Sequence, residues 1–180
     1  VNNVTVTATK GDAYGLAAIN GATLSGDANS AVRNITVTAN TADNAAYGVY
    51  AANGSTVKGV EAGNLTVESA GIGAGISAAD NSSVSVSADS LTVSADYAAG
   101  IAADGSTVDA KLGSLKAASE NGTATGITAA NNGSVSADLQ SLTAESASGT
   151  ASGISASSGK ASAINVANGL TVNSANGGTG

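Results

Sequence analysis

The sequence predicts an all-β fold, namely a right-handed parallel β-helix (β-solenoid) with three short strands per coil and about six coils. A small residue, any residue, Gly and an aliphatic residue follow one another in six copies, at 13–16, 46–49, 73–76, 98–101, 124–127 and 151–154. Apolar residues within the copies alternate with period 2, which is typical of strands, and a helical period of 3.6 is absent. Each copy is too short to bury a core alone, so the copies must stack on one another.

The first strand of each coil is an apolar–polar–apolar triplet, in most copies with Thr at its centre. The triplets begin at Val4, Ile35, Leu65, Leu91, Leu115, Leu142 and Leu170. Successive triplets are separated by 24 residues (91 to 115) to 31 residues (4 to 35), which suits a three-sided coil. The alternation predicts that Val4, Val6, Ala8 and their equivalents point inward, and that Thr5, Thr7 and theirs point outward.

The second strand follows the repeated glycine. Its aliphatic residue and the Ala two positions later should point inward, and the residue between them outward. The glycine recurs as Gly15, Gly48, Gly75, Gly100, Gly126 and Gly153. A column without Cβ atoms indicates a positive φ or a close backbone approach. The alternative interpretation is a surface groove that holds a ligand.

A corner follows the second strand in every copy. The corners are Asn20-Gly21, Asn53-Gly54, Asp80-Asn81, Asp104-Gly105, Asn132-Gly133 and Ser158-Gly159. Such pairs adopt a positive φ at low steric cost, so each should turn the chain into a third strand. The predicted inward residues of that third strand are Leu24, Val57, Val84, Val108, Val135 and Ala163.

The whole chain, residues 1–180, is interpreted as one β-solenoid segment, a fragment of a longer repeat protein. A β-sandwich is the alternative fold, because short strands with regular turns also suit it. The sandwich would require hairpins and a varied core, whereas these columns repeat one residue type over a long period.

Composition excludes several classes of function. The net charge is −7, and this disfavours nucleic acid or anionic lipid as a partner, since both need a basic surface. No run of 18 apolar residues is present, so direct membrane insertion of this segment is not expected. The chain has one Arg and no His or Cys, and its acidic residues are scattered. We therefore predict no enzyme, no catalytic residues, no cofactor and no metal site.

Two carboxylate pairs are candidates for chemistry or cation binding. Asp80 and Asp104 precede the same type of corner, and Asp109 and Asp138 could share an outer face. General acid–base catalysis needs two such groups that converge on one bond. Solvated corner carboxylates are the favoured interpretation, since Asn occupies equivalent positions. Asn3, Asn34 and Asn64, which begin Asn-x-Ser/Thr triplets, are interpreted as turn residues before the first strand.

An outward column of threonines is the candidate contact surface. It consists of Thr5, Thr36, Thr66, Thr92, Thr143 and Thr171, and Lys116 interrupts it. Flat Thr arrays can bind ice, but that activity needs a second matched column, and the next outward position includes Glu68 and Glu145. The alternative is that Thr simply suits an exposed strand position.

The repeated Leu-Thr-Val triplets, the Ala-x-Gly-Ile strands, the Asn-Gly corners and the absence of Cys resemble the passenger region of bacterial autotransporter adhesins. Filamentous haemagglutinin-type adhesins are similar. The resemblance covers the whole chain and rests on its repeat character. It implies a right-handed β-helix at the bacterial cell surface, displayed on the outer membrane or secreted, with roles in adhesion, self-association or biofilm formation.

Three hypotheses about function follow. The first is an extracellular adhesin or self-associating rod, whose partners are further copies or host and cell-surface carbohydrate or protein. The second is a passive structural fibre or spacer subunit. A carbohydrate-active enzyme or an ice-binding protein on the same scaffold ranks below both.

Overall fold

The computed structural model describes residues 2–26, 31–158 and 160–180, and it describes 160–162 by their backbone only. Its strands are β1 (Asn3–Ala8), β2 (Ala13–Ile19), β3 (Thr23–Ser25), β4 (Val32–Ala39), β5 (Ala45–Ala52), β6 (Thr56–Ala79), β7 (Ser83–Asp104), β8 (Thr107–Ser119), β9 (Thr123–Ala130), β10 (Ser134–Ser146), β11 (Ala151–Ser157), β12 (Lys160–Val166), β13 (Leu170–Ser174) and β14 (Gly178–Thr179). The described residues form no helix, and so none that could cross a membrane.

The strands stack as a parallel β-solenoid of about six turns, which confirms the predicted fold class. All strand pairings between the described residues are parallel, whereas a sandwich of hairpins would pair its strands antiparallel. β6 and β7 are long because each runs through corners and contributes to all three sides of the coil. Each coil therefore bonds to the coil before it and to the coil after it.

The predicted first and second strands are stacked in register. Ile35 pairs with Leu65 and Leu65 with Leu91 in the first strand, and Ile76 pairs with Ile101 in the second. These aliphatic side chains are fully buried and form one central column. The first and last coils enclose less, since Val4 is partly buried and Leu170 is 39% exposed. The hydrophobic core is thus a thin rod-like column that spans the coils.

The third strand is as predicted except at its last residue. Leu24, Val57, Val84, Val108 and Val135 occupy successive coils in register. Ala163 does not continue the column, because Val135 pairs with Ala161 and the register then shifts. Ala163 is exposed and has a φ of 55°, which is the geometry of a bulge residue. Two residues there oppose one in the previous coil.

The repeated glycine is explained by close approach and not by a positive φ. A Cβ placed on Gly100 would lie 2.5 Å from the carbonyl oxygen of Gly126 and 2.5 Å from Cδ2 of Leu115. Gly75 and Gly126 are confined in the same way. All three are buried, so the alternative interpretation of a surface groove is wrong. The column leaves room for the leucines of the opposite first strand.

The corners adopt the predicted left-handed backbone, with two local differences. Asn20, Gly21, Asn53, Gly54, Asp80 and Asn81 all have positive φ. In the fourth coil only Gly105 does, because one residue fewer separates Ile101 from Val108 than separates Ile76 from Val84. In the fifth coil Asn131 and Asn132 take this role in place of Asn132-Gly133. Ser158 has a φ of 53°, and Gly159 lies outside the described residues.

A buried serine ladder, which the sequence analysis did not anticipate, holds the same corners together. The backbone N–H of Ser55 donates to Oγ of Ser82 at 3.0 Å, and that of Ser82 donates to Oγ of Ser106 at 3.0 Å. The N–H of Gly21 donates to Oγ of Ser55 at 3.0 Å. All three serines are buried, and the hydroxyls of Ser82 and Ser106 each satisfy a buried backbone donor that water does not reach.

Candidate functional site

The predicted threonine column lies on the outer face of the first strands. Thr5, Thr36, Thr66 and Thr92 pair in register through successive coils, and Thr143 pairs with Thr171. Thr5 and Thr171 are exposed, and the other four members are partly exposed. Successive members are about 4.8 Å apart, the spacing of neighbouring strands. The column is continuous over four coils, and its use as a contact ladder stays a prediction.

Lys116 divides this column, as its sequence position predicts. It pairs with Thr92 on one side and Thr143 on the other, and its Nζ lies 2.7 Å from Oε2 of Glu145. The Lys116 ammonium beside Glu145, which it hydrogen-bonds, lowers the pKa of that carboxyl. An ion pair therefore separates two stretches of hydroxyl groups on this face.

Asn3, Asn34 and Asn64 lie within strands and not in turns, contrary to the prediction. Nδ2 of Asn34 donates to Oδ1 of Asn3 at 2.8 Å, and Nδ2 of Asn64 donates to Oδ1 of Asn34 at 2.9 Å. Oγ of Ser90 donates to Oδ1 of Asn64 at 2.7 Å and extends the ladder by one coil. This amide ladder borders the threonine column and joins four coils at the surface.

Asp80 and Asp104 are neighbours in adjacent coils through their backbones, because the N–H of Asp80 donates to the carbonyl oxygen of Asp104 at 3.2 Å. In the strand register Asp104 pairs with Ala79, and its side-chain Oδ1 accepts a 2.6 Å hydrogen bond from Nδ2 of Asn131.

Asp109 and Asp138 do lie on one outer face, but in different columns. Asp109 pairs with Ser136, and Asp138 pairs with Lys111. Among the described residues no group of three or more Asp, Glu, His or Cys side chains could hold a metal ion.

All four tyrosines of the chain lie on the outer face of the second strands, which we call the tyrosine face. It is formed by residues 12–19, 45–52, 72–79, 97–104, 123–130 and 150–157. Three columns of positions that alternate with the core positions cross this face, each given below from the first coil to the last; Ala45, Ala74 and Ser77 in them are buried. The edge column is Asp12, Ala45, Ile72, Tyr97, Thr123 and Thr150; the middle column is Tyr14, Tyr47, Ala74, Ala99, Thr125 and Ser152; the far column is Ala17, Tyr50, Ser77, Ala102, Thr128 and Ser155.

Three of the tyrosines form a cluster over the first two coils. The rings of Tyr14 and Tyr47 are stacked with centroids 5.2 Å apart and planes 7° apart. Tyr50 leans against both, with centroid distances of 5.3 Å to Tyr14 and 4.6 Å to Tyr47. Rings in offset contact at these distances stabilise one another beyond their buried area. The cluster raises this end of the face above the remainder.

Burial and a neighbouring carboxylate govern the acidity of this cluster. Oη of Tyr14 donates to Oδ2 of Asp12 at 3.2 Å, and Oδ1 of Asp12 accepts the backbone N–H of Ala45 at 2.8 Å. Desolvation, followed by the Asp12 charge, raises the pKa of Tyr14 to about 12. Desolvation also raises the pKa values of Tyr47 and Tyr50. The hydroxyls are therefore neutral donors over the physiological range.

The middle of the tyrosine face exposes apolar side chains. Ile72 and Tyr97 pair in register in adjacent coils and are 51% and 62% exposed. With Ala99 and Thr125 they line a shallow depression on this face. Large apolar side chains exposed next to one another are typical of contact surfaces and not of a solvated strand.

The tyrosine face was missed in the sequence analysis, although the sequence contains its signal. Tyr14 and Tyr47 each directly precede the repeated glycine, and Tyr50 lies between two inward positions of the second strand. The period-2 alternation assigned this middle position outward, so it placed Tyr50 on the surface.

Comparisons with known proteins identify no relative: no protein-family model, no curated protein and no solved structure matches this chain.

Proposed function

We propose that the chain is an extracellular surface rod that mediates cell–cell or cell–surface attachment through its side faces, as an adhesin or by self-association. The single observation that carries the proposal is the placement of all four tyrosines on one outer face while the core is aliphatic. Tyrosine contributes strongly to binding energy at protein interfaces, because it offers a rigid apolar ring and a polar tip. In a chain with so few aromatic residues, burial of the tyrosines in the core would contribute more to stability than their placement at the surface. Their position on one outer face therefore favours a role in contact.

The threonine column and the amide ladder support the same proposal. They present regularly spaced hydroxyl and amide groups, which can hydrogen-bond to carbohydrate or to another protein chain. The acidic balance of the chain points away from nucleic acid and anionic membranes as partners. Bacterial cell-surface or secreted placement belongs to the proposal and follows from the adhesin-like repeat character.

Display on a non-aggregating bacterial host tests this function. Cells that carry the chain should settle faster than the parent strain or bind to surfaces coated with glycans or host proteins. A host that displays an unrelated rigid spacer of equal length is the control. Display without settling or binding above this control would contradict the attachment function.

The second candidate is a passive spacer, and the continuous stacking of the core favours it. Ile35, Leu65, Leu91 and Leu115 follow one another in register without a gap, which makes the segment stiff along its length. A spacer would hold another domain away from the cell, and its own faces would be inert in the display experiment.

A further inference from the structure

We propose that the tyrosine face is the contact between two copies of this chain, packed antiparallel. The inference rests on the proposed function and names the partner of one face. The side chains differ in size between the two ends of that face. Tyr14, Tyr47 and Tyr50 raise the first two coils, while hydroxyl-bearing side chains such as Thr125 and Ser152 leave the last two low. A surface that is high at one end and low at the other fits an inverted copy of itself.

The registers allow this fit to be followed residue by residue. A two-fold axis that lies across the face between the third and fourth coils keeps each column over itself and inverts the coil order. Tyr47 in the second coil then lies over Thr125 in the fifth. Ile72 in the third coil lies over Tyr97 in the fourth, and the reciprocal contact forms on the other side of the axis.

A parallel arrangement of the same two faces fits poorly. A two-fold axis along the rod would place the middle column over the far column within each coil. Tyr47 would then lie over Tyr50, ring on ring, whereas Thr125 would lie over Thr128 and leave a gap. Tyr97 would also lie over the carboxylate of Asp104. Steric complementarity therefore selects the antiparallel arrangement.

Charge does not oppose contact between two such faces. The six segments contain no Lys or Arg, and their only acidic residues are Asp12 and Asp104. In the antiparallel arrangement Asp12 lies over Thr150 and Asp104 lies over Ala79, so no carboxylate meets its own copy. Since the chain carries a net charge of −7, long-range repulsion between copies remains, and added salt screens it.

The face is large enough for a modest interface. Six strands at about 4.8 Å and eight residues at about 3.3 Å give roughly 29 by 26 Å, or about 750 Å² per copy. Two copies together bury about 1,500 Å², within the range of specific interfaces. Each single contact is weak to moderate, and many rods on one cell act together.

Sedimentation equilibrium with charged variants tests the interface. Wild type should dimerise reversibly. The double variant I72K/Y97K places Lys over Lys across the axis and should weaken dimerisation at least about tenfold. I72K/Y97E places Lys over Glu twice and should restore most of the affinity.

The control is S83K/T107K, which adds two lysines at paired positions in adjacent coils, but on the face of the third strands. It should dimerise like wild type. The proposal is overturned if wild type stays monomeric up to about 1 mM, or if S83K/T107K weakens dimerisation as much as I72K/Y97K does.

Spin labels test the orientation, and the absence of cysteine in the chain makes single labels clean. Thr23 and Thr107 lie in one column of the third strands, in the first and fourth coils. In an antiparallel dimer the labels at Thr23→Cys are offset by five coils, about 24 Å along the rod, and those at Thr107→Cys by one coil, about 5 Å. A longer distance for Thr23→Cys supports the proposal. Equal distances indicate a parallel dimer and overturn it.

The display experiment separates this inference from the proposed function. Cells that settle with wild type and with I72K/Y97K alike, while the soluble chain is monomeric, attach through another face, and the inference fails alone. If the soluble chain dimerises through the tyrosine face but the cells that display it neither settle nor bind, the inference stands and the attachment function fails alone.

Discussion

Tyr14 and Tyr47 lie in adjacent coils with their rings nearly parallel, 5.2 Å between centroids and 7° between planes. Stacked outward side chains are thus brought into contact by the coil spacing itself. The same spacing brings Asn34 to Asn3 and Thr36 to Thr5. In this fold the column to which a residue belongs sets its contacts in the neighbouring coils. Each prediction below changes one member of a column.

The raised pKa of Tyr14 predicts a loss of stability at high pH. Its pKa rises from 10.0 to about 12 on folding, so the folded chain holds this proton more tightly than the unfolded chain. The stabilising contribution is complete below pH 10 and is lost as the pH rises through about 12. Tyr14→Phe should show a shallower decline of Tm over this interval than wild type. Equal slopes would contradict the assignment, and the difference in absorbance at 295 nm between wild type and the variant follows the ionisation of Tyr14.

Gly100→Ala should strongly destabilise the solenoid. The new Cβ would meet the Gly126 carbonyl oxygen and the Leu115 side chain, both at 2.5 Å; the first is a backbone atom and the second belongs to a buried core residue. We expect a loss of about 3 kcal/mol in the free energy of unfolding, measured by urea denaturation. The control is Gly54→Asn, where a Cβ meets nothing within 4 Å and Asn tolerates the φ of 72°. It should change stability by less than about 0.5 kcal/mol.

Ser82→Ala should cost about 1–3 kcal/mol of unfolding free energy, because it leaves the buried N–H of Ser55 without an acceptor. Ser87→Ala is the matched control, since Ser87 is exposed on the third side of the same coil. Thermal or urea unfolding compares the two variants. Similar stabilities would show that the serine ladder does not hold the corners.

Lys116→Thr should raise the pKa of Glu145 towards its ordinary value, because it removes the first cause of the lowering. The pair is solvent-exposed, so stability should change by less than about 1 kcal/mol. Carboxyl carbon NMR titration measures the pKa. Lys111→Thr, which removes a charge beside Asp138 instead, should leave Glu145 unchanged.

The first strand was predictable because two independent signals agree there. Period-2 alternation placed Val67 inward and Thr66 outward, and the repeat spacing placed Leu65 between Ile35 and Leu91. Ala163 was placed wrongly because two residues oppose one in the last coil, and a constant repeat spacing does not register such a bulge.

The site was less predictable, because side-chain ladders depend on register as well as residue type. Asn34 reads as a turn former when it is taken alone, and it becomes a strand residue when Asn3 and Asn64 stand directly beside it. Ser82 does carry a sequence signal, since Ser55, Ser82 and Ser106 each directly follow a corner pair, but residue type and position alone do not show that its hydroxyl is buried. Only the corner geometry makes it an acceptor for a buried donor.

The amide hydrogen bonds also run in one direction along the rod. Asn34, Asn131 and Asn165 each donate to an oxygen of the preceding coil, on Asn3, Asp104 and Asp138 respectively. Asp104 and Asp138 are therefore each matched by an amide in the next coil, and an acid in that next position would set two carboxylates against each other. Coils are thus not freely interchangeable. A duplication or exchange of coils keeps these surface contacts only when Asp104 and Asp138 are still followed by an amide, which restricts how such a rod can lengthen during evolution.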